Sequence, residues 1–255
     1  MISVITITYN NYEELKATLL SIEGIPGIES IVINGGNCKD TMEYLAHVNA
    51  ISVSEPDQGI ADAFNKRLNL ANENAIMFLN SGDTLIEKSY MGKVENIFET
   101  NPDIGFVHGD IIFNDSICGK MHMKPALCAL GRGMPYFHQT MVVRRSVFDK
   151  IGNFKLNYKI TMDFELVCRM HKVGIKGYYW ASAPIVAMDG RGVSVTREHK
   201  SIPESLKGLK ENQLLTIDNL RWYLIRYTLF SGRMVMMKIG LSKLLAKLKA
   251  IKHKR

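Results

Sequence analysis

The sequence predicts an α/β fold, a mixed but mainly parallel sheet with helices on both faces, followed by a C-terminal helical tail. Three observations carry that prediction. Short β-branched runs alternate with helical patterns through the first half of the chain, the signature of a parallel sheet with crossover helices. Four of these runs each end in a polar, turn-forming cluster. The charge is also split: Ser201 to Arg255 holds twelve basic and three acidic residues, whereas the first 200 residues hold 20 and 22. The sequence therefore divides into a nearly neutral body, 1–200, and a basic tail, 201–255.

The elements follow in order. Ile2 to Thr8 reads as the first strand. Asn11 is a helix N-cap residue with Glu14 three positions on, and Leu15, Leu19 and Ile22 form one apolar stripe behind it. Ser30 to Ile33 is a second strand, followed by a turn at Gly35-Gly36 and a helix capped by Asp40 or Thr41. Ile51 to Ser54 is a third strand. Ile60, Phe64 and Leu68 recur every four residues, which predicts a helix from Ile60 to Leu70. Ala75 to Leu79 is a fourth strand and Glu87 to Glu99 a helix. Gly105 to Lys124 reads as strands and turns, so the sheet gains antiparallel members there. Leu130 to Phe137, rich in Gly, Pro and aromatics, is a loop. Gln139 to Val143 is a strand, Ser146 to Lys150 a short helix and Met162 to His171 a longer one. Tyr178 to Trp180 and Ile185 to Met188 are strands, and from Pro203 the chain is helical.

Composition excludes several classes. A hydrophobic fraction of 46% and a charged fraction of 22% are ordinary for a globular chain and exclude disorder as the default. Cys38, Cys118, Cys128 and Cys168 are too scattered for a metal-ligand cluster or a disulfide framework. The start lacks the basic and apolar regions of a signal peptide, and no uncharged run reaches the ~20 residues that span a bilayer. The expected location is cytoplasmic, with peripheral association at the inner face of the plasma membrane through the tail.

In open α/β sheets, ligands bind at the carboxyl ends of the strands. Thr8-Tyr9-Asn10, Asn34-Gly35-Gly36, Glu55-Pro56-Asp57-Gln58-Gly59 and Asn80-Ser81-Gly82-Asp83 all fall there, and together they predict a polar crevice. No GxGxxG follows the first strand and no GxxxxGK[ST] occurs. A diphosphate in this crevice needs its charge neutralised by another route. Asp83, just past a buried strand, suits a Mg²⁺ or Mn²⁺ ion that takes one or two carboxylates plus the substrate's own phosphates.

The order Ile5-Thr6-Ile7-Thr8-Tyr9-Asn10, Asn34-Gly35-Gly36, Asp40-Thr41, Asp57-Gln58-Gly59, Asn65-Lys66 and Leu79-Asn80-Ser81-Gly82-Asp83 resembles the family 2 glycosyltransferases of the GT-A fold. The type is that of bacterial polysaccharide biosynthesis, and the likeness runs from Met1 to Met188. It implies a nucleotide-diphosphate-sugar donor, with Thr8, Tyr9, Asn10 and Asn34 around the nucleoside and Asp57 and Lys66 facing the donor. Asn80 and Ser81 occupy the slot of the family's DxD motif, with Asp83 as ligand to the divalent cation. Two positions depart from the pattern: Asn80 replaces the first acid of DxD, and Asn34 replaces the acid usual after the second strand. Ile160-Thr161-Met162-Asp163-Phe164-Glu165-Leu166 resembles the segment carrying the general base, with Asp163 at the base position. Asp163 also suits a helix cap, and Glu165 a solvated or ion-paired helix residue. His138-Gln139 matches a pair found in part of the family, where it would contact acceptor or diphosphate. Asp110 reads equally as an acceptor-side residue or a turn. Arg191, Arg197 and His199 read as a solvated loop or as a cover over the donor phosphates.

In the tail, Leu241, Leu244, Leu245 and Leu248 share a helical face, while Lys243, Lys247, Lys249, Lys252 and Lys254 spread around the other. Such a helix lies on an anionic membrane surface or docks on the domain, and no nucleic-acid motif accompanies it. The expected activity is inverting, metal-dependent hexosyl transfer to a hydroxyl of a saccharide or lipid-linked acceptor. Sugar nucleotidyl transfer, or nucleotide-sugar binding without turnover, are the alternatives.

Overall fold

The structure is a computed structural model and describes residues 1–68, 73–115, 119–126, 130–189 and 198–240. Arg191, Arg197, Cys118, Cys128 and the tail residues from Leu241 onward lie outside the described residues.

A seven-stranded sheet runs in the order β10-β6-β9-β4-β1-β2-β3. Its strands are β1 (Ile2–Thr8), β2 (Ile28–Asn34), β3 (Ile51–Ser54), β4 (Ala75–Phe78), β6 (Ile104–Gly109), β9 (Val142–Arg144) and β10 (Lys176–Trp180). All pair in parallel except β9, which is antiparallel to both neighbours, β4 and β6. A second sheet, in the order β5-β11-β7-β8, is formed by β5 (Thr84–Leu85), β11 (Val186–Asp189), β7 (Ile111–Asp115) and β8 (Gly119–Met123). This is the GT-A arrangement the sequence led us to expect.

Strand side chains alternate between two cores, as a two-residue period requires. On one face Ile2, Val4, Val32 and Met77 pack against α1 (Tyr12–Ile22), α2 (Lys39–Leu45) and α4 (Tyr90–Thr100), through Leu15, Leu19, Ile22, Tyr90 and Val94. On the other, Ile5, Ile31, Ile33, Ile76 and Phe78 meet α3 (Ile60–Leu68), α5 (Arg145–Ile151) and α6 (Met162–Lys172). Phe64 and Phe78 lie 4.5 Å apart between ring centroids, and both are fully buried. Burying one such side chain is worth about 1.5–3 kcal/mol. A third, smaller core joins Phe164 and Cys168 of α6 to Ile202 and Leu209 of α7 (Glu198–Glu211) and Tyr223 of α8 (Ile217–Lys238).

Several boundaries differ from the sequence reading. Asn11 stands at the N-cap of α1, but its carboxamide does not cap the helix; its Oδ1 accepts from the Tyr9 N–H at 3.1 Å and the Thr8 hydroxyl at 2.5 Å. Two 3-10 turns, Leu130–Arg132 and His138–Thr140, occupy part of the expected loop and the start of the expected strand. Thr140 is drawn into the second turn because its hydroxyl and N–H both donate to Phe137 O, at 2.8 and 2.9 Å. Helix α7 begins before Pro203, which sits inside its first half, and it spans position 200. No described helix is long and apolar enough to cross a membrane.

Candidate active site

Registry puts the strand-end clusters side by side. Thr8 pairs with Asn34, and Asn34 with Ser54, so β1, β2 and β3 end on one line. Because β9 runs the opposite way, the residues before it, rather than after it, arrive at that same edge. Met77 pairs with Val142, which carries His138 and Gln139 up beside Asn80 and Ser81. Helix α6 presents its amino end there too.

These elements enclose a cleft of about 470 Å³, lined by Thr8, Tyr9, Asp57, Asn80, Ser81, His138, Gln139 and Asp163 among the expected residues. Sequence reasoning missed the apolar part of its lining, which includes Ile60, Phe64, Ile160, Met162 and Met188. Helical periodicity marks such residues as core, and no local signal tells which core side chain also borders a cavity.

The loops are held by short local bonds. Asn10 has φ 54°, a left-handed conformation asparagine tolerates, and its Oδ1 accepts from the N–H groups of Asn37 and Cys38 at 2.9 and 3.0 Å. The Asp57 carboxylate accepts from Gly59 N–H at 2.8 Å and lies over Gly35, where a Cβ would fall within 3.2 Å of Asp57 Cγ. Glycine at 35 is thus set by close approach. Asn34 is fully buried: its Nδ2 donates to Ser54 Oγ at 3.2 Å and its Oδ1 accepts from Gly36 N–H at 3.0 Å. It braces the β2–β3 edge beneath the cleft and does not line it. Lys66 donates to Pro56 O at 2.7 Å and pairs with Glu55 and Asp62 at 3.3 and 3.4 Å, so it ties the third loop to α3 from outside the lining.

On the fourth loop, Asp83 is buried at 5% exposure, and its N–H donates to Asn80 O at 3.0 Å. The Thr18 hydroxyl donates to Asp83 O at 2.8 Å and accepts from Gly82 N–H at 3.0 Å, fastening the loop to α1. Asn80 Oδ1, Ser81 Oγ and His138 Nε2 are buried and have no hydrogen-bond partner among the described residues. Orphaned polar atoms are costly, about 1–3 kcal/mol each, so three around one cavity imply a polar ligand that satisfies them. Asp83 lies buried on this loop and is not among the residues that line the cleft, whereas Asn80 and Ser81 are; the three carry hard oxygen donors, the kind that fit Mg²⁺ or Mn²⁺ shared with phosphate oxygens. No cluster of three or more His, Cys, Asp or Glu occurs among the described residues, so a cation here would draw ligands from the substrate as well.

His138 stacks on Phe78, with ring centroids 5.5 Å apart and planes 13° from parallel. Burial lowers its imidazole below the ordinary value, and the Asp163 carboxylate acts in the opposite direction. His138 is therefore neutral at pH 7 and offers one donor and one acceptor. Helix α6 starts at Met162 with Thr161 as its N-cap, so Asp163 lies inside the first turn and is not the cap residue; its Oδ1 accepts from Phe164 N–H at 2.8 Å. Glu165 points the other way into a buried ion-pair network. Asp110, buried outside the cleft lining, accepts from the Tyr179 hydroxyl at 2.6 Å and pairs with His122 Nε2 at 2.6 Å.

A GT-A domain with helices on both faces of its sheet and a polar cleft at its strand ends defines a glycosyltransferase that uses nucleotide sugars. The comparisons agree. The family model described as "Glycosyl transferase family 2" matches residues 3–162, and the chain belongs to that family. It is 26% identical over 186 residues to a "PGL/p-HBAD biosynthesis glycosyltransferase" of Mycobacterium tuberculosis, covering 66% of this chain and 69% of the relative. In fold it is similar to S. aureus TarS 1-349 in complex with UDP-GlcNAc, with TM-score 0.68, 13% identity and coverage of 98% of this chain and 79% of the other. It is similar also to glucosyl-3-phosphoglycerate synthase from Mycobacterium tuberculosis, bound to Mn²⁺, UDP and glucosyl-3-phosphoglycerate, with TM-score 0.62, 15% identity and coverage of 85% and 81%.

Proposed function

We propose that this glycosyltransferase moves a sugar from a nucleotide-diphosphate sugar to a hydroxyl of a saccharide or lipid-linked acceptor, with inversion at the anomeric carbon. One observation carries the reading: the Asp163 carboxylate shares a cleft with three polar atoms, Asn80 Oδ1, Ser81 Oγ and His138 Nε2, that have no hydrogen-bond partner among the described residues. The nucleoside lies along Thr8, Tyr9, Asn10 and Asp57, near the Asn34 brace and Lys66, and the diphosphate reaches Asn80 and Ser81. Asp163 takes the acceptor proton as the acceptor oxygen bonds to the anomeric carbon. The bond from that carbon to the diphosphate oxygen breaks on the opposite face, and its electron pair leaves with the nucleoside diphosphate. A positioned base contributes about 10²–10⁴-fold to such a step. His138 and Gln139 contact the acceptor or the diphosphate.

Asp83, with Asn80 and Ser81, would hold a Mg²⁺ or Mn²⁺ ion. When bound, that ion neutralises charge on the departing diphosphate. The tail supplies contact with an anionic membrane surface. In support, α8 exposes Leu224, Ile225, Leu229 and Val235 and carries Arg221, Arg226, Arg233 and Lys238.

The test is EDTA-treated protein incubated with Mn²⁺ or Mg²⁺ and UDP-, GDP- and dTDP-sugars, followed by NMR of the product's anomeric centre. Expected are metal-dependent donor cleavage, one inverted anomer, and a loss of about 10²–10⁴-fold in Asp163→Asn with nucleotide affinity retained. Retained configuration, or full activity in Asp163→Asn, refutes the mechanism.

A further inference from the structure

Asp163 owes its position to a helix N-terminus that lacks an ordinary cap. The first amides of any helix have no intrahelical acceptor and need one from elsewhere. Thr161 is the N-cap of α6, yet its side chain accepts none of them. The turn leading into the helix also presents three consecutive N–H groups, those of Lys159, Ile160 and Thr161. All three donate to a single carboxylate, that of Glu204, at 3.0, 2.9 and 3.0 Å, and the Thr161 hydroxyl donates to it at 3.3 Å. Charge-assisted bonds of this kind are roughly twice as strong as neutral ones, and three of them on one small group fix the turn in rotation as well as in place.

Glu204 belongs to α7, and α7 is firmly mounted. Ile202 and Leu209 are buried against Phe164 and Cys168 of α6. Asn212 Nδ2 reaches the buried Glu165 carboxylate at 3.4 Å. The clamped turn also reaches across to the donor side, where Lys159 Nζ donates to Gln58 O at 3.2 Å, beside Asp57. The turn that aims Asp163 is therefore held from one side by α7 and joined on the other to the loop that lines the donor end of the cleft.

We infer that Glu204 is a positioning residue for the transfer reaction: its carboxylate grips the 159–161 turn and thereby sets the direction in which Asp163 meets the acceptor hydroxyl. The inference rests on the reading of Asp163 as the base. It makes a residue of the C-terminal helical region part of the reaction geometry, without contact between Glu204 and substrate.

Glu204→Gln keeps the volume but offers one acceptor oxygen, with an amide that donates toward backbone N–H groups. A misplacement on the order of 1 Å can cost about 10²-fold in rate. The expected result is a kcat lowered by about 10- to 100-fold, with donor KM and UDP affinity unchanged. Val94→Ala, fully buried in α4 on the other face of the sheet, is the structural control. It should lower Tm and leave kcat per folded molecule at 25 °C intact. If Glu204→Gln behaves like Val94→Ala, losing Tm but not kcat, the inference is overturned. Should Glu204→Gln not fold, Glu204→Asp, shorter by one methylene, is read by the same split of kcat from KM. Asp163→Asn, measured in parallel, separates the two claims. Loss of transfer in Asp163→Asn with full kcat in Glu204→Gln overturns the clamp alone. Full transfer in Asp163→Asn overturns the base assignment and the clamp's purpose with it.

Discussion

Two carboxylates on one helix, two residues apart, face opposite ways, and changing each should separate stability from chemistry. Glu165 is fully buried; Lys155 Nζ stands 2.8 Å from its Oε1, and Arg169 Nε lies 2.9 Å from its Oε2 and 3.1 Å from Oε1. Removing one member of a buried ion pair costs about 3–5 kcal/mol, because the partners stay buried and unpaired. Here the survivors keep some company. Arg169 still donates to the carbonyls of Gly152 and Asn153, each at 2.8 Å, and Lys155 still meets Glu211 at 3.2 Å. The lower end of the range applies, so Glu165→Gln is expected to cost about 3 kcal/mol. For a domain of this size that is a fall in Tm of about 6–12 °C. The assay is thermal unfolding followed by circular dichroism at pH 7, with sugar transfer measured at 25 °C on the same preparation. A Tm within about 2 °C of the unchanged protein would refute the magnitude. A tenfold loss of transfer with normal Tm would refute the division of labour, since it would put Glu165 into the chemistry.

Further outcomes follow from other parts of the molecule. His108 is buried at 3% exposure, and desolvation lowers its pKa to about 4, with the Asp110 carboxylate a smaller opposing influence. Between pH 6.5 and that value the unfolded chain binds more protons than the folded one, so stability falls as pH drops through the window, by about 3 kcal/mol in all. Urea unfolding at pH 7 and pH 4 should show His108→Phe losing less than the unchanged protein by that margin, and equal losses would refute the assignment. At Gly36 a Cβ would stand 2.7 Å from the Asn10 backbone nitrogen, so Gly36→Ala must part the first and second loops. Such crowding costs about 1–3 kcal/mol, read as about a 5- to 160-fold weaker UDP affinity by calorimetry; unchanged affinity would show that the loops are not both part of the nucleotide site. Removing residues 221–255 should abolish co-sedimentation with anionic phosphatidylglycerol vesicles, and undiminished binding would dismiss the tail as the membrane contact.

Much of the architecture was legible because its signals are local. β-branched runs ending in Asn, Gly and Asp located β1 to β4, and the strand-end rule placed Thr8, Asp57, Asn80 and Ser81 on one edge from sequence alone. What was illegible depends on partners far away in the chain. Asn34 looks like a ligand residue in isolation, yet Ser54 and Gly36 consume its carboxamide. Gln139 and Thr140 read as the start of a strand from their composition, yet Thr140 bonds back to the Phe137 carbonyl and closes a 3-10 turn. Glu204 sits in a run of ordinary helix formers, and nothing near it in sequence announces the three amides it serves some forty residues earlier.

The reversed strand β9 has an effect beyond bringing His138 to the cleft. It is laced on both margins, to β4 through Ala75, Ile76 and Met77 and to β6 through Phe106 and Val107. Its register is therefore fixed independently of whatever precedes it. The imidazole four residues ahead of Val142 thus inherits its place from paired backbone on two sides, and a substitution in either neighbouring strand that slipped this register would carry His138 away from Asn80 and Ser81.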